Sequence, residues 1–145
     1  MRIIVDADGC PVVRICARVA VKYGIECIAV CDTSHIIEID GVKTVTVSKG
    51  NDSVDFALVN MISAGDIAVT QDYGLAAMCL ARGVKVLNQD GKEYTPYNIE
   101  GLLLRRHEVK KLRRSGGHPK GQPKRDPSLN EMFERSLIAL IENNI

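Results

Sequence analysis

Four acidic residues carry the chemistry that can be read from this chain. Asp6 and Asp8 follow the apolar run Arg2-Ile3-Ile4-Val5 and precede Cys10-Pro11, and Asp72 follows Ile67-Ala68-Val69-Thr70-Gln71. Asp55 stands in Asp52-Ser53-Val54-Asp55, ahead of an apolar helical stripe. Carboxylates gathered at one place repel one another, so they ionise together readily only with a cation among them; a hard ion such as Mg²⁺ prefers such oxygen donors. A cation held there would also let an anionic phosphate approach, and would activate water. The competing reading is that Asp6 or Asp8 caps a helix and fixes a turn. Asp52 fits an N-cap better than a site, which leaves Asp55 as the site candidate of that pair.

The elements that must position these acids follow from apolar spacing. Arg2–Val5 reads as a buried strand, and Pro11 at a first helical position opens a helix striped by Val12, Ile15, Cys16, Val19, Ala20 and Tyr23. Glu26–Cys31 reads as a second buried strand that ends in the polar loop Asp32-Thr33-Ser34-His35. Asp40-Gly41 predicts a tight hairpin between Ile37–Ile39 and Val42–Val47. A helix through Val54, Ala57, Leu58, Met61 and Ile62 follows. Next come a third strand at 67–70, a helix through Leu75, Met78, Cys79 and Ala81, and a fourth strand at Val84–Leu87.

This alternation predicts an α/β fold with a mostly parallel central sheet flanked by helices. In such a sheet the carboxyl ends of the strands share one edge, where ligands bind. If strands 2–6 and 67–70 are parallel neighbours, Asp6 and Asp72 converge there, Asp8 lies beside them, and Asp55 reaches in from a helix start. Read this way, the acids have no matched cationic partner and no His or Lys beside them as general base, so water activation falls to the metal. Thr70 and Gln71 either hold a water or a phosphate oxygen or simply end their strand.

A length of 145 residues fits a single domain spanning 1–145, with no second domain expected. The chain shows no signal-peptide pattern and no apolar run near the roughly 18 residues a membrane span needs, so a cytoplasmic protein without membrane partners is expected. Cys10, Cys16, Cys27, Cys31 and Cys79 form no C-x-x-C pair and read as reduced packing residues. The net charge of +1 hides a segregation. Nine of the 19 Lys/Arg but one of the 18 Asp/Glu lie between Arg105 and Arg125, giving that segment +8 and the remainder −7. A basic helix and loop at 97–127 therefore suggests a polyanionic partner, with Arg105, Arg106, Lys110, Arg113, Arg114 and Lys120 as candidate phosphate contacts; the alternative is a solvated face running into a flexible linker. Ser128-Leu129-Asn130-Glu131 matches a capping box, and Leu129, Phe133, Leu137, Leu140 and Ile141 stripe a final helix, 128–143, that docks back on the domain.

Asp-Ala-Asp-Gly-Cys-Pro-Val at 6–12, Asn-Asp-Ser-Val-Asp-Phe at 51–56, Gly-Asp-Ile-Ala-Val-Thr-Gln-Asp-Tyr-Gly-Leu-Ala at 65–76 and Leu-Arg-Arg-Ser-Gly-Gly at 112–117 resemble the YaiI/YqxD family nearly end to end. The resemblance implies a PIN-like domain. It also implies that Asp6, Asp55 and Asp72, with Asp8 as an additional candidate, bind Mg²⁺ or Mn²⁺ and catalyse phosphodiester hydrolysis in a nucleic acid, RNA or DNA, with RNA the first expectation. Two rivals remain at this point. A haloacid-dehalogenase-like phosphatase would use Asp6 as nucleophile, with Gly65-Asp66 and Asp72 as a later acidic motif. A non-catalytic RNA-binding module would use the basic segment alone.

Overall fold

The computed structural model describes residues 1–50, 53–114 and 124–145. Its elements in chain order are β1 (Arg2–Asp6), α1 (Val13–Tyr23), β2 (Glu26–Asp32), β3 (Val42–Val47), α2 (Ser53–Met61) and β4 (Ile67–Val69). They continue with α3 (Tyr73–Ala81), β5 (Lys85–Leu87), β6 (Glu93–Tyr94), α4 (Ile99–Arg114) and α5 (Ser128–Asn143). The strands form one six-stranded sheet in the order β3-β2-β1-β4-β5-β6. Every pairing is parallel except the last, between β5 and β6.

Alternating side chains of the central strands explain the three layers. Ile3 and Val5 of β1, with Cys27, Ala29 and Cys31 of β2, bury one face against Cys16, Val19 and Ala20 of α1 and Phe133, Leu137 and Ile141 of α5. Ile4, Ile28, Val30 and Ala68 point the other way, onto Leu58 of α2 and Leu75, Ala76 and Cys79 of α3. A strand buried on both faces needs apolar residues at every position, which is why the short runs in β1, β2 and β4 are nearly unbroken.

The central feature for function is the connection order. From β1 the chain steps outward through β2 to β3, then returns to the other side of β1 as β4. Such a reversal opens a crevice beyond the carboxyl ends of the two strands that flank it. The register aligns Val5 with both Ala29 and Val69, so Asp6 and the residues just after β4 emerge side by side.

The opposite edge is closed by an ion pair. Arg2 Nη2 donates to Asp66 Oδ2 at 2.7 Å and to the Met61 carbonyl at 2.9 Å, while the backbone N–H groups of Arg2 and Ser63 also donate to the Asp66 carboxylate. Burial works against ionisation of Asp66, but these donors outweigh it and hold its pKa below the usual carboxylate range. At the end of the chain, Arg125 fastens the approach to α5 by donating to Asp90 Oδ1 at 2.6 Å and to the Gln89 carbonyl at 2.7 Å. One cation of the basic segment is thus an internal tie.

Four local expectations are corrected. Asp40-Gly41 does turn, with Gly41 at φ 82° and Val42 N–H donating to the Ile39 carbonyl, yet no hairpin forms. Val42–Val47 instead pairs parallel with β2 over six residues, more ladder than the three-residue Ile37–Ile39 run offers, and Ile37 and Ile39 pack onto the α1 side of the core. A hairpin occurs where only a turn was expected, around Asp90-Gly91, and adds β6. Pro11 lies in a turn two residues before α1, whose N-cap is Val12, so neither Asp6 nor Asp8 caps that helix. The capping box at Ser128 is not made: Ser128 is already helical, and its N–H donates to Asp126 Oδ1 at 2.9 Å.

Candidate functional site

Asp6 is the last residue of β1, and its position is fixed by Thr70, the first residue past β4. The buried Thr70 hydroxyl donates to Asp6 Oδ2 at 2.8 Å and accepts the Asp72 backbone N–H at 3.0 Å. Both functions of the hydroxyl are used within the protein, so Thr70 is a positioning residue for two acids. Gln71 does similar work, donating from Nε2 to the Gly9 carbonyl at 3.0 Å and tying the turn after β1 to the end of β4. Burial, reinforced by the charges of Asp8 and Asp72 and opposed by the Thr70 hydrogen bond, pushes the Asp6 pKa up to about 6.

Asp72 has a structural role as well as a place at the edge. It is the N-cap of α3, and its Oδ1 accepts the N–H groups of Gly74 at 2.8 Å and Leu75 at 3.1 Å. Arg106 of α4 brings Nη1 to 3.4 Å from the same oxygen. The expectation that the acids lack a cationic partner is therefore corrected at Asp72, by a helix contributed 34 residues later in the chain.

Asp6, Asp8, Asp55 and Asp72 all line one open cleft of about 690 Å³ at the carboxyl edge, together with Asp32, Gln71, Tyr73 and Arg106. Asp55 reaches it from the first turn of α2. Asp52, the neighbouring cap candidate, lies outside the described residues, as does Lys120. Arg105 is exposed on α4, and the same helix carries Lys110, Arg113 and Arg114, whose side chains are not described. Among the described residues, Arg106 is the predicted phosphate contact that lines the cleft.

Among the described residues, a further ligand-like group stands beside these acids. Asp8, Asp32 and His35 each offer an atom within 4.8 Å of the other two. His35 Nδ1 lies 2.9 Å from Asp32 Oδ1 and 3.8 Å from Asp8 Oδ1. This places an imidazole beside the acids, where none was expected. The hydrogen bond and charge of Asp32 hold the His35 pKa above its ordinary value. Asp8 Oδ1 is buried and, among the described residues, has no hydrogen-bond partner. The Asp8 side chain is otherwise 28% exposed, so a cation arriving from the cleft could reach it and add a ligand contact to the covered oxygen. The donor set of carboxylates with one imidazole fits Mn²⁺ and Mg²⁺ at the oxygens and favours Mn²⁺ at the nitrogen.

Two other groups are excluded from the chemistry. Asp66, which a dehalogenase-like phosphatase would need near Asp6, precedes β4 and so sits at the opposite edge, held by Arg2. Cys10, near the turn after β1, has its thiol pushed up to about 11, chiefly by burial, the reverse of what a thiolate nucleophile requires.

The fold and site together define an open, doubly wound α/β domain with an acid-lined cleft at its topological switch point. Its family is equally definite. A family model described as "Uncharacterized BCR, YaiI/YqxD family" matches residues 4–143, and the chain belongs to that family. A UPF0178 protein of Ruminiclostridium cellulolyticum is 51% identical over 143 residues, covering 98% of this chain and 93% of that protein. Another, from Exiguobacterium sibiricum, is 46% identical over 141 residues, covering 97% and 96% respectively. The crystal structure of Rae1 (YacP) from Bacillus subtilis is similar with a TM-score of 0.50, over 93% of this chain and 91% of that one. At 14% identity that likeness speaks to the fold alone. Among the described residues no helix is long and apolar enough to cross a membrane.

Proposed function

We propose that this protein is a divalent-metal-dependent nuclease of PIN-like type, hydrolysing phosphodiester bonds of RNA or DNA. One observation carries the reading: Asp6 and Asp8 at the end of β1, Asp55 in the first turn of α2 and Asp72 after β4, three separate segments, line one cleft at the switch point of a parallel sheet. Asp8, whose covered oxygen makes no hydrogen bond among the described residues, would be the principal ligand, supported by Asp6 and Asp72 and by Asp32 and His35. A bound Mn²⁺ or Mg²⁺ would neutralise these charges, polarise the phosphodiester and make water acidic enough to attack it. The chain's own residues do the rest: Thr70 orients Asp6, Gln71 holds the Gly9 turn, and Arg106 at the rim offers a phosphate contact.

The test is to titrate Mn²⁺ into the purified protein while assaying cleavage of single-stranded RNA, structured RNA and DNA. The reading expects cleavage that rises with Mn²⁺, stops with chelator and is lost in Asp8→Asn. Binding of RNA that is unchanged by chelator and by Asp6→Asn, with no cleavage, would instead make the protein a binding module that works through its basic segment.

A further inference from the structure

We infer that Phe56 forms a stacking subsite for one unpaired nucleobase, so that the substrate of the cleft is single-stranded nucleic acid. The inference rests on the nuclease reading for the position of the scissile phosphate, but its own support is a second groove. Phe56, Met78 and Gly74 form its apolar and small-residue walls, and Asp55, Asp72 and Arg106 connect it to the acid cleft, since all three line both. The groove has a volume of about 360 Å³.

Packing does not account for Phe56. The apolar stripe of α2 that faces the core is carried by Leu58 and flanked by Val54, Ala57 and Met61, while Phe56 points off that stripe and is 59% exposed. A single exposed aromatic is ordinary on a protein surface. Its placement is what gives it meaning: the ring is one residue from Asp55 and shares a groove with the guanidinium of Arg106. Gly74, which also lines the groove, leaves room for the Arg106–Asp72 pair: a Cβ there would come to 3.1 Å from Arg106 Nη1 and 3.2 Å from Asp72 Oδ1. The ring matches the π-face of a base, and Arg106, loosely paired at 3.4 Å with Asp72 and 41% exposed, is the group of this groove that could turn to the neighbouring phosphate, while Asp55 and Asp72 face the acid cleft as well. Every base has such a face, so the subsite would be tolerant of sequence. Within a duplex both faces of a base are already stacked, so a paired nucleotide cannot use it.

The experiment measures binding of a fluorescently labelled single-stranded RNA of about 12 nucleotides and of the blunt two-stranded duplex it forms with its complement, both in chelator so that nothing is cleaved. Native protein, Phe56→Ala and Phe56→Trp are compared. Phe56→Ala is expected to weaken single-strand binding about five- to hundred-fold, Phe56→Trp to restore it to within about threefold, and duplex binding to stay level. Phe56 lies on the surface, so the variants keep the fold, which melting curves check. Equal loss on single strand and duplex, or no loss on either, overturns the stacking subsite. Cleavage with Mn²⁺ is then measured on the same three proteins. Phe56-dependent single-strand binding without any Mn²⁺-dependent cleavage would leave the subsite standing and remove the nuclease. Cleavage of single strands indifferent to Phe56→Ala would do the opposite.

Discussion

Asp6→Asn should stabilise the metal-free protein near neutral pH and destroy its response to metal. Asp6 has an ordinary pKa of 3.8 and a folded value of about 6, raised first by burial and then by Asp8 and Asp72. The unfolded chain therefore loses this proton about two pH units earlier than the native protein. Over that interval the native state binds more protons, so stability falls as pH rises from about 4 to 6 and stays reduced above it. Two pH units correspond to a ceiling of roughly 3 kcal/mol. The site opens to solvent, and Asn accepts a weaker hydrogen bond from Thr70 than a carboxylate does, so about 1–2 kcal/mol remains. For a domain of this size that is a rise of about 3–6 °C in Tm. Melts of native and variant protein in chelator from pH 4 to 8 should show the two converging at the acid end and the variant higher at the neutral end. With Mn²⁺ at about 100 times its Kd the native protein should gain about 2.7 kcal/mol, and Asp6→Asn little or nothing. A variant that melts below native in chelator at neutral pH would refute the reasoning, because Asp6 would then be a structural acceptor and not a strained charge.

Other expectations follow from the same contacts. Arg2→Ala strands the buried Asp66 carboxylate and should cost about 3 kcal/mol by chemical denaturation. Because Asp66 is held below its ordinary pKa, its contribution is present above the unfolded value and is lost as pH falls through the folded one; Asp66→Asn should flatten the acid limb of the native stability curve. Arg106→Ala should weaken nucleic-acid binding and reduce the magnitude of its salt-dependence slope by about one unit, measured by titration at several ionic strengths. His35→Gln should shift metal preference from Mn²⁺ towards Mg²⁺ in calorimetric titrations, because it removes the nitrogen donor beside Asp8 and Asp32. Gly91→Ala places a Cβ 2.8 Å from the Met132 carbonyl and 2.9 Å from the Phe133 Cα at a φ of 86°, and should cost several kcal/mol by undocking α5.

What could be read in the sequence was whatever depends on local pattern. The short apolar runs ending in Asp6 and ahead of Asp72 are legible as buried parallel strands, and parallel strands share a carboxyl edge by geometry alone. Hence the acids could be set on one edge before any pairing was known. His35 lies outside any local pattern: its loop follows β2 while Asp8 follows β1, and only the pairing of those two strands brings the imidazole to the carboxylate. The signal for it is the carboxyl edge itself, since β2 delivers Asp32 and His35 to the same edge to which β1 delivers Asp8. The Arg106–Asp72 pair had no such signal: it depends on where α4 crosses α3, which no local spacing encodes. At Asp40-Gly41 the turn residues do turn the chain, but a six-residue parallel register outcompetes a hairpin with one short arm. Ser128 shows the same limit on a smaller scale, since Asp126 two residues earlier supplies the acceptor that a capping serine would have provided.

The most direct test of the central claim is anomalous diffraction from a crystal grown with Mn²⁺. The account predicts a peak in the cleft with Asp8 Oδ1 and at least one of Asp6, Asp32, His35 or Asp72 within ligand distance, about 2.0–2.6 Å for the oxygens. A crystal saturated with Mn²⁺ that shows no peak at the carboxyl edge, or one only on the surface away from Asp8, would contradict it.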